Sequence, residues 1–202
     1  MTVSRLGVLF ATGAAAFAIA GCNKAATTND ANASGNETAA NSAAPADPVT
    51  SAESAAPASL AKNASIVTAD ASGKMTEVRK GTNGWTCMPD SPTTPGPDPM
   101  CFDANAGKWI AAMLNHKPPP EGVVGMMYML EGGTDASNSD PYATTPTADN
   151  DWVKTGPHVM VVGSKELLAG YPSGAKPDTS VPYVMWAGTP YAHLMVPVKS
   201  GG

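Results

Sequence analysis

The stretch "GPHVMVVG", residues 156–163, is a β-branched, apolar run between two glycines, and it predicts a core strand. A second stretch, "PYAHLMVPV" at residues 190–198, has the same character and predicts another strand. Each run carries a His-X-Met triplet, and the four residues concerned are His158, Met160, His193 and Met195. Their side chains either belong to two core strands or bind a soft metal ion.

Five further patterns around these runs predict strands. Alternation about an Asp/Ser/Gly turn predicts strands at Ile66–Ala69 and Met75–Arg79, and a short one is expected at Gly84–Met88. The run "VVGMMYML" (123–130) predicts a central strand, and "YVMW" (183–186) predicts a closing strand. The connections are short enough for a mainly antiparallel sheet.

One stretch, "DANAGKWIAAMLNHK" (103–117), predicts the principal helix. Asp103 is a suitable N-cap, apolar residues recur at helical spacing, and Pro118–Pro120 stop the pattern. A shorter helix is expected in "SKELLAG" (164–170), capped by Ser164. Two polar stretches, "SPTTPGPDPM" (91–100) and "TDASNSDPYATTPTADND" (134–151), predict loops. The fold class is therefore α+β, with a mainly antiparallel sheet, one principal helix and long loops.

The composition limits the function classes. The chain has 202 residues, of which 43% are hydrophobic and only 14% charged, with 20 Gly and 19 Pro. This is a loop-rich composition that still supports one core. A formal charge of −5 and the lack of a Lys/Arg cluster argue against a nucleic-acid partner.

The N-terminus predicts export and lipid anchoring. Arg5 is followed by an uncharged apolar run that is too short to span a bilayer in the usual way, as in a signal peptide (1–21). The run ends in Ile19-Ala20-Gly21-Cys22, which resembles the lipobox of bacterial lipoproteins, in which the cysteine is acylated. The alternative is a plain secretory signal. Because Asn23 rather than Asp follows Cys22, we expect the outer membrane, facing the periplasm.

Residues 22–62 predict a disordered tether. This Ala/Asn/Ser/Thr/Pro-rich segment has no aromatic residue and contains three prolines, so it offers little apolar surface to offset its chain entropy. A single globular α+β domain is expected at 63–202.

Cys87 and Cys101 remain once Cys22 is assigned to the lipobox. In an oxidising compartment a structural disulfide is expected, since a redox-active pair normally has C-X-X-C spacing. Reactive or metal-binding thiols are the alternative.

Several motifs resemble a group of exported bacterial proteins of unknown function, over nearly the whole span from Lys62 to Val198. These are "GTNGWTCMPD", "PGPDPMC", "GGTDASNSDPYA", "TGPHVMVV" and "PYVMWAGTPYAHLMVPV". The resemblance implies one intact domain and carries no catalytic residue.

Catalytic and cofactor motifs are absent from the sequence, including G-X-S-X-G, H-E-X-X-H and the phosphate-binding glycine patterns. No catalytic or cofactor-binding residue is therefore predicted. A hydrolase site could still assemble from a histidine (His116, His158 or His193) with Ser137 and Asp135 or Asp140. Asp135, Asn138 and Asp140 also half-resemble a calcium loop, although an Asx-rich turn explains them better.

The function expected is a membrane-anchored, non-enzymatic module that binds a small ligand or an envelope protein partner. An enzyme with an unlocated site is one alternative. The other is a copper-binding periplasmic protein, because imidazole and thioether ligands suit copper, especially Cu(I). Methionine in a β-branched run is usually a core residue. The sequence therefore favours no bound metal or cofactor, and a structural role for His158, Met160, His193 and Met195.

Overall fold

The computed structural model of the protein describes residues 47–70 and 73–199. Within these ranges the helices are α1 (Pro48–Ser54), α2 (Ala58–Ala61) and α3 (Ala104–Leu114), and Glu166–Leu168 form a 3₁₀ helix. The strands are β1 (Ser65–Ala69), β2 (Met75–Arg79), β3 (Thr86–Met88), β4 (Met100–Phe102), β5 (Gly125–Met129), β6 (Ala136–Ser137), β7 (Trp152–Val153), β8 (His158–Val162), β9 (Tyr183–Met185) and β10 (His193–Pro197).

Eight strands form one large sheet, in the order β2-β1-β3-β4-β5-β8-β10-β9, and β6 pairs with β7 separately. Neighbours in the large sheet are antiparallel except β1 and β3. The predicted mixed fold, with a large, mainly antiparallel sheet and few helices, is confirmed. Strand β4 was not predicted, because its three residues directly follow a proline-rich stretch.

Helix α3 begins where the sequence predicts. The Asp103 side chain accepts a hydrogen bond from the N–H of Ala106 at 2.8 Å, and its other oxygen accepts from the N–H of Met126 on β5 at 3.1 Å. One carboxylate thus caps the helix and ties it to the sheet. Close packing of α3 on β5 also requires Gly125, since a Cβ there would collide with the backbone of Ala106.

The sheet separates two buried clusters. Met127 and Phe102, which are cross-strand partners, belong with α3 on one face. Tyr128 and Cys101, the adjacent pair, belong with the cluster under α1 and α2. Because successive strand residues point to opposite faces, α3 covers one face and α1–α2 the other.

Cys87 and Cys101 form the expected disulfide. They are cross-strand partners on β3 and β4, and both are fully buried beneath α1.

The prediction of a disordered tether at 22–62 is wrong for its last part, because α1 and α2 occupy most of residues 48–61. Their contact surface is alanine, with Ala52, Ala55 and Ala61 fully buried. The N–H of Leu130 donates to the carbonyl of Ala55, and Arg79 donates to the carbonyl of Ala61. Small side chains allow this close approach, and the larger Val49 and Leu60 are only partly buried against the same cluster, which is why composition alone suggested disorder. The signal peptide, Cys22 and residues 23–46 lie outside the described residues.

The short helix at 164–170 also differs from expectation. It is a 3₁₀ turn whose N-cap position is Lys165, and the Ser164 hydroxyl bonds the Glu166 carboxylate instead of a helix N–H. Neither described range contains a helix long and apolar enough to cross a bilayer. The described residues all belong to one compact unit.

Candidate functional site

A row of methionines crosses the face of the sheet that α3 covers. Met127 on β5, Met160 on β8 and Met195 on β10 are successive cross-strand partners, and Tyr183 on β9 continues the row. Side chains of such partners lie on the same face, about 5 Å apart at Cβ. The three methionine side chains are therefore neighbours on one face, in the half of the sheet that ends at β9.

The two histidines stand on either side of this row. His158 is the cross-strand partner of Met129 on β5, and His193 is the partner of Met185 on β9. Both imidazoles are buried, as are all four residues of the His-X-Met triplets. Burial thus shows that the triplets face the interior, which the sequence could not decide because both strand faces are apolar.

The register places the histidines at opposite ends of the row. Leu194 pairs with Val161, so His193 lies about four residues along the strands from His158. Four residues correspond to roughly 14 Å between the Cα atoms. The four residues of the triplets therefore do not form a single set of possible metal ligands. Instead, the register gives two separate sets, His158 with Met129 and Met160, and His193 with Met185 and Met195.

A cavity of about 350 Å³ lies between this face and α3. Both histidines line it, together with Trp109 and Trp186, and Asp98 is the one carboxylate in the described wall. Eight of the eleven methionines also line it: Met88, Met100, Met113, Met127, Met129, Met160, Met185 and Met195. The lining is flexible and polarisable, a property associated with surfaces that adapt to varied ligands.

The imidazoles are held as neutral rings with a defined orientation. The Nδ1 atom of His158 lies 2.7 Å from the carbonyl of Gly156, and that of His193 lies 3.0 Å from the carbonyl of Tyr191. A carbonyl accepts only, so Nδ1 carries the proton and Nε2 keeps its lone pair. Burial lowers the pKa of His158, and lowers the pKa of His193 to about 4.

Two tryptophans form an aromatic wall around His193. Their ring centroids are 6.1 Å apart with nearly parallel planes, and His193 meets both rings edge-on. The indole Nε1 of Trp109 is buried and has no hydrogen-bond partner among the described residues. A wall residue of the cavity therefore carries a buried donor without a partner among the described residues, and buried polar groups of this kind are rare.

Trp186 has a strained backbone. Its φ is +55°, in the left-handed region that bulky residues seldom adopt. Its backbone N–H donates to the carbonyl of Asn138, and its indole N–H donates to the carbonyl of Ser137 at 2.8 Å. Residues 137–138 thus fix the indole against the cavity, and such strain is concentrated at functional sites.

The Asp98 carboxyl is half-buried at the cavity wall. Burial raises its pKa, partly against hydrogen bonds from Ser91 and Thr94 that lower it, while nearby Asp90 raises it further. The group is therefore available as a polar anchor in an apolar space.

The hydrolase residues do not assemble. The Ser137 hydroxyl donates to the carbonyl of Asn150 and accepts from the N–H groups of Ser139 and Asp140. In the part of the chain with described coordinates, no hydrogen bond joins Ser137 to a histidine, and His116 instead stacks on Tyr142.

The residues that half-resemble a calcium loop, Asp135, Asn138 and Asp140, make separate hydrogen bonds with the backbone. Asp135 accepts from the N–H of Thr155, Asn138 donates to the carbonyls of Gly174 and Ala175, and Asp140 accepts from the N–H of Tyr142. No cluster of three or more His, Cys, Asp or Glu suited to a metal ion occurs in residues 47–70 and 73–199.

No family model, no curated protein and no solved structure matches the chain. The resemblance to exported bacterial proteins therefore stays a prediction. Sequence reasoning identified the two triplets but not the rest of the cavity, including Trp109 and Trp186. The signal that could have indicated it is the methionine content, eleven in 202 residues.

Proposed function

We propose that this protein is a lipid-anchored binding protein of the bacterial envelope, whose domain holds a small apolar ligand in the methionine cavity without converting it. The observation that carries the proposal is the cavity of about 350 Å³ with its thioether and indole walls. Ligand pockets begin at roughly 300 Å³ and are mostly apolar with a few polar groups.

The polar groups suit recognition of one end of such a ligand. The unpaired Nε1 of Trp109 can donate a hydrogen bond, and the Nε2 atoms of His158 and His193 can accept one. These groups lie in a wall that is mostly apolar, with Asp98, Thr134 and Thr155 as its other polar side chains, and each hydrogen bond there is stronger than in water. A ligand with a single donor or acceptor on an apolar body matches this pattern.

The non-enzymatic part of the proposal is supported by how the reactive groups are used. Both histidines bond backbone carbonyls through Nδ1, and Ser137 is committed to backbone contacts. Triad catalysis needs a nucleophile bonded to a base and a third group that orients the base. Among the described residues, His158 and His193 could act as bases, but no hydrogen bond joins either of them to a nucleophile or to an orienting carboxylate.

The anchor and the location are supported by the N-terminal sequence. Cys22 in its lipobox would carry acyl chains, and more than one chain gives stable membrane attachment. In this proposal the protein is attached to the outer membrane and faces the periplasm, where a tethered module can bind small molecules that enter the envelope.

The test is binding of N-phenyl-1-naphthylamine, a neutral apolar fluorophore, to residues 23–202. We expect saturable fluorescence enhancement. Ala136→Leu, which places a larger side chain in the wall of the cavity, should abolish most of it. Ala148→Leu is the matched control, because Ala148 lines a different cavity. The proposal fails if the probe does not bind, or if both variants reduce binding equally.

A further inference from the structure

We propose that the corner of the methionine cavity around His158 binds one Cu(I) ion, through Nε2 of His158 and the sulfur atoms of Met129 and Met160. This goes beyond the proposed function, because it adds a metal ion as a second ligand at one corner of the same cavity.

The register brings these three side chains together. Met129 is the cross-strand partner of His158, and Met160 is two residues further along the same strand, on the same face. The ends of His158 and Met129 also approach one point next to Gly133. A Cβ atom on residue 133 would lie 3.2 Å from Cε1 of His158 and 3.4 Å from Cε of Met129. One imidazole and two thioethers can therefore reach a shared ion.

The orientation of His158 is that of a metal ligand. Metal-binding imidazoles usually donate their second N–H to a carbonyl or carboxylate, which fixes the ring. The Nδ1 atom of His158 does so to the carbonyl of Gly156 at 2.7 Å, and this leaves the Nε2 lone pair free for a ligand.

The donor set selects the metal. Thioether sulfur is a soft ligand that favours Cu(I), and imidazole also binds copper. Hard cations need oxygen clusters, and the described residues contain no cluster of three or more His, Cys, Asp or Glu suited to a metal. Both cysteines of the domain are in the disulfide, so thiolate zinc ligation is also excluded there. Asp98 in the same wall can balance the single positive charge of Cu(I).

Access distinguishes this corner from the one around His193. His158, Met129 and Met160 are 4%, 8% and 8% exposed, whereas His193, Met185 and Met195 are 2%, 3% and 2% exposed. Of the two histidines, His158 also lines a second cavity of about 430 Å³, to which Met195 contributes as well, and His193 does not line it. His193 is enclosed by the two tryptophans. The ion is therefore placed at His158.

The experiment is anaerobic competition for Cu(I) between full-length protein in dodecyl maltoside and the chromophoric chelator bicinchoninate, with ascorbate as reductant. We expect the protein to withdraw one equivalent of copper. Met129→Leu and Met160→Leu, which remove sulfur while nearly preserving volume, should each weaken binding roughly tenfold or more. Met75→Leu and Met126→Leu, which change exposed methionines outside the cavity, are the matched controls, and they should leave the affinity unchanged.

X-ray absorption at the copper edge should show two sulfur neighbours and one nitrogen. The inference is overturned if the wild-type protein removes no copper, if the two pairs of variants lose affinity equally, or if bound copper has no sulfur neighbours. Naphthylamine binding with no copper binding would reject the metal site alone. Loss of both in the wild-type protein would reject the proposed function as well.

Discussion

The imidazole of His193 is buried, and its burial makes the free energy of unfolding depend on pH. Burial lowers its pKa from 6.5 to about 4, since the cationic ring would lose its hydration. The edge-on contacts with Trp109 and Trp186 provide apolar surroundings, and the carbonyl of Tyr191 is the ring's hydrogen-bond acceptor. The folded state therefore holds His193 neutral under conditions in which an unfolded chain would begin to protonate it.

We expect the free energy of unfolding to fall as the pH falls from about 6.5 to about 4. In this window the unfolded chain binds a proton at residue 193 and the folded chain does not. The contribution of His193 to the free energy of unfolding is therefore fully present above pH 6.5 and decreases as the pH falls to about 4. The full effect is roughly 3 kcal/mol. The pKa of His158 is also lowered, which adds in the same direction, whereas the raised pKa of Asp98 opposes it.

Urea unfolding of residues 23–202 between pH 4 and pH 7.5 measures this dependence. His193→Gln is the comparison, because its amide can still donate to the carbonyl of Tyr191 but does not titrate. The pH slope should be shallower in the variant. Equal slopes in both proteins would show that His193 is not held neutral by the fold.

At the scale of elements, α3 and the central strands were predictable from sequence because each carries a local signal. Asp103 caps α3, and β8 and β10 are β-branched runs. Helix α1 also has a local start signal, because Asp47 accepts a hydrogen bond from the N–H of Thr50 and Pro48 follows it, but its contact with the sheet is made mostly by alanine and depends on the partner surface beneath it. The left-handed conformation of Trp186 likewise comes from its contacts with Ser137 and Asn138, which are distant in sequence.

The packing of α1 and α2 changes where proteolysis should stop. Sequence composition alone predicts cleavage up to about Lys62. The fully buried alanines and the hydrogen bonds of Ala55 and Arg79 instead predict a resistant fragment that begins near Asp47. Proteinase K digestion followed by mass spectrometry locates the boundary.

A variant that prevents packing of α1 provides the control. Ala52→Asp would bury an unpaired charge against the disulfide, so α1 should be released and the boundary should move towards Lys62. A wild-type fragment that already begins near Lys62 would contradict the packing of both helices.

At the scale of the whole molecule, the proposed lipid anchor would determine where the cavity is displayed. The lipobox predicts that Cys22→Ser either releases the protein from membranes or leaves the precursor unprocessed. Membrane fractionation and intact mass distinguish these results from the wild type. Unchanged mass together with unchanged membrane association would rule out lipid anchoring at Cys22.

The sequence predicted the members of the candidate site only in part, because a cavity is a property of the assembled molecule. His158 and His193 could be selected by their triplets. Met129 and Met185 lie next to these histidines only because of the cross-strand register, and Trp109 is contributed by α3. Neighbouring methionines even separate: Met127 lies in the cavity wall, whereas Met126 is on the other face and partly exposed. The sequence shows which residues of a strand share a face. It does not show which face is buried when both faces are apolar.

The binding cavity is tested most directly by methyl NMR of residues 23–202 labelled with ¹³C at the methionine ε-methyl groups. Eight of the ten methionines in this chain line the cavity, and exposed Met75 and Met126 are internal controls. Titration with N-phenyl-1-naphthylamine should shift cavity methyl signals and leave the two control signals in place. Unmoved cavity signals at saturating probe, or equal shifts of Met75 and Met126, would contradict the assignment of this cavity as the binding site.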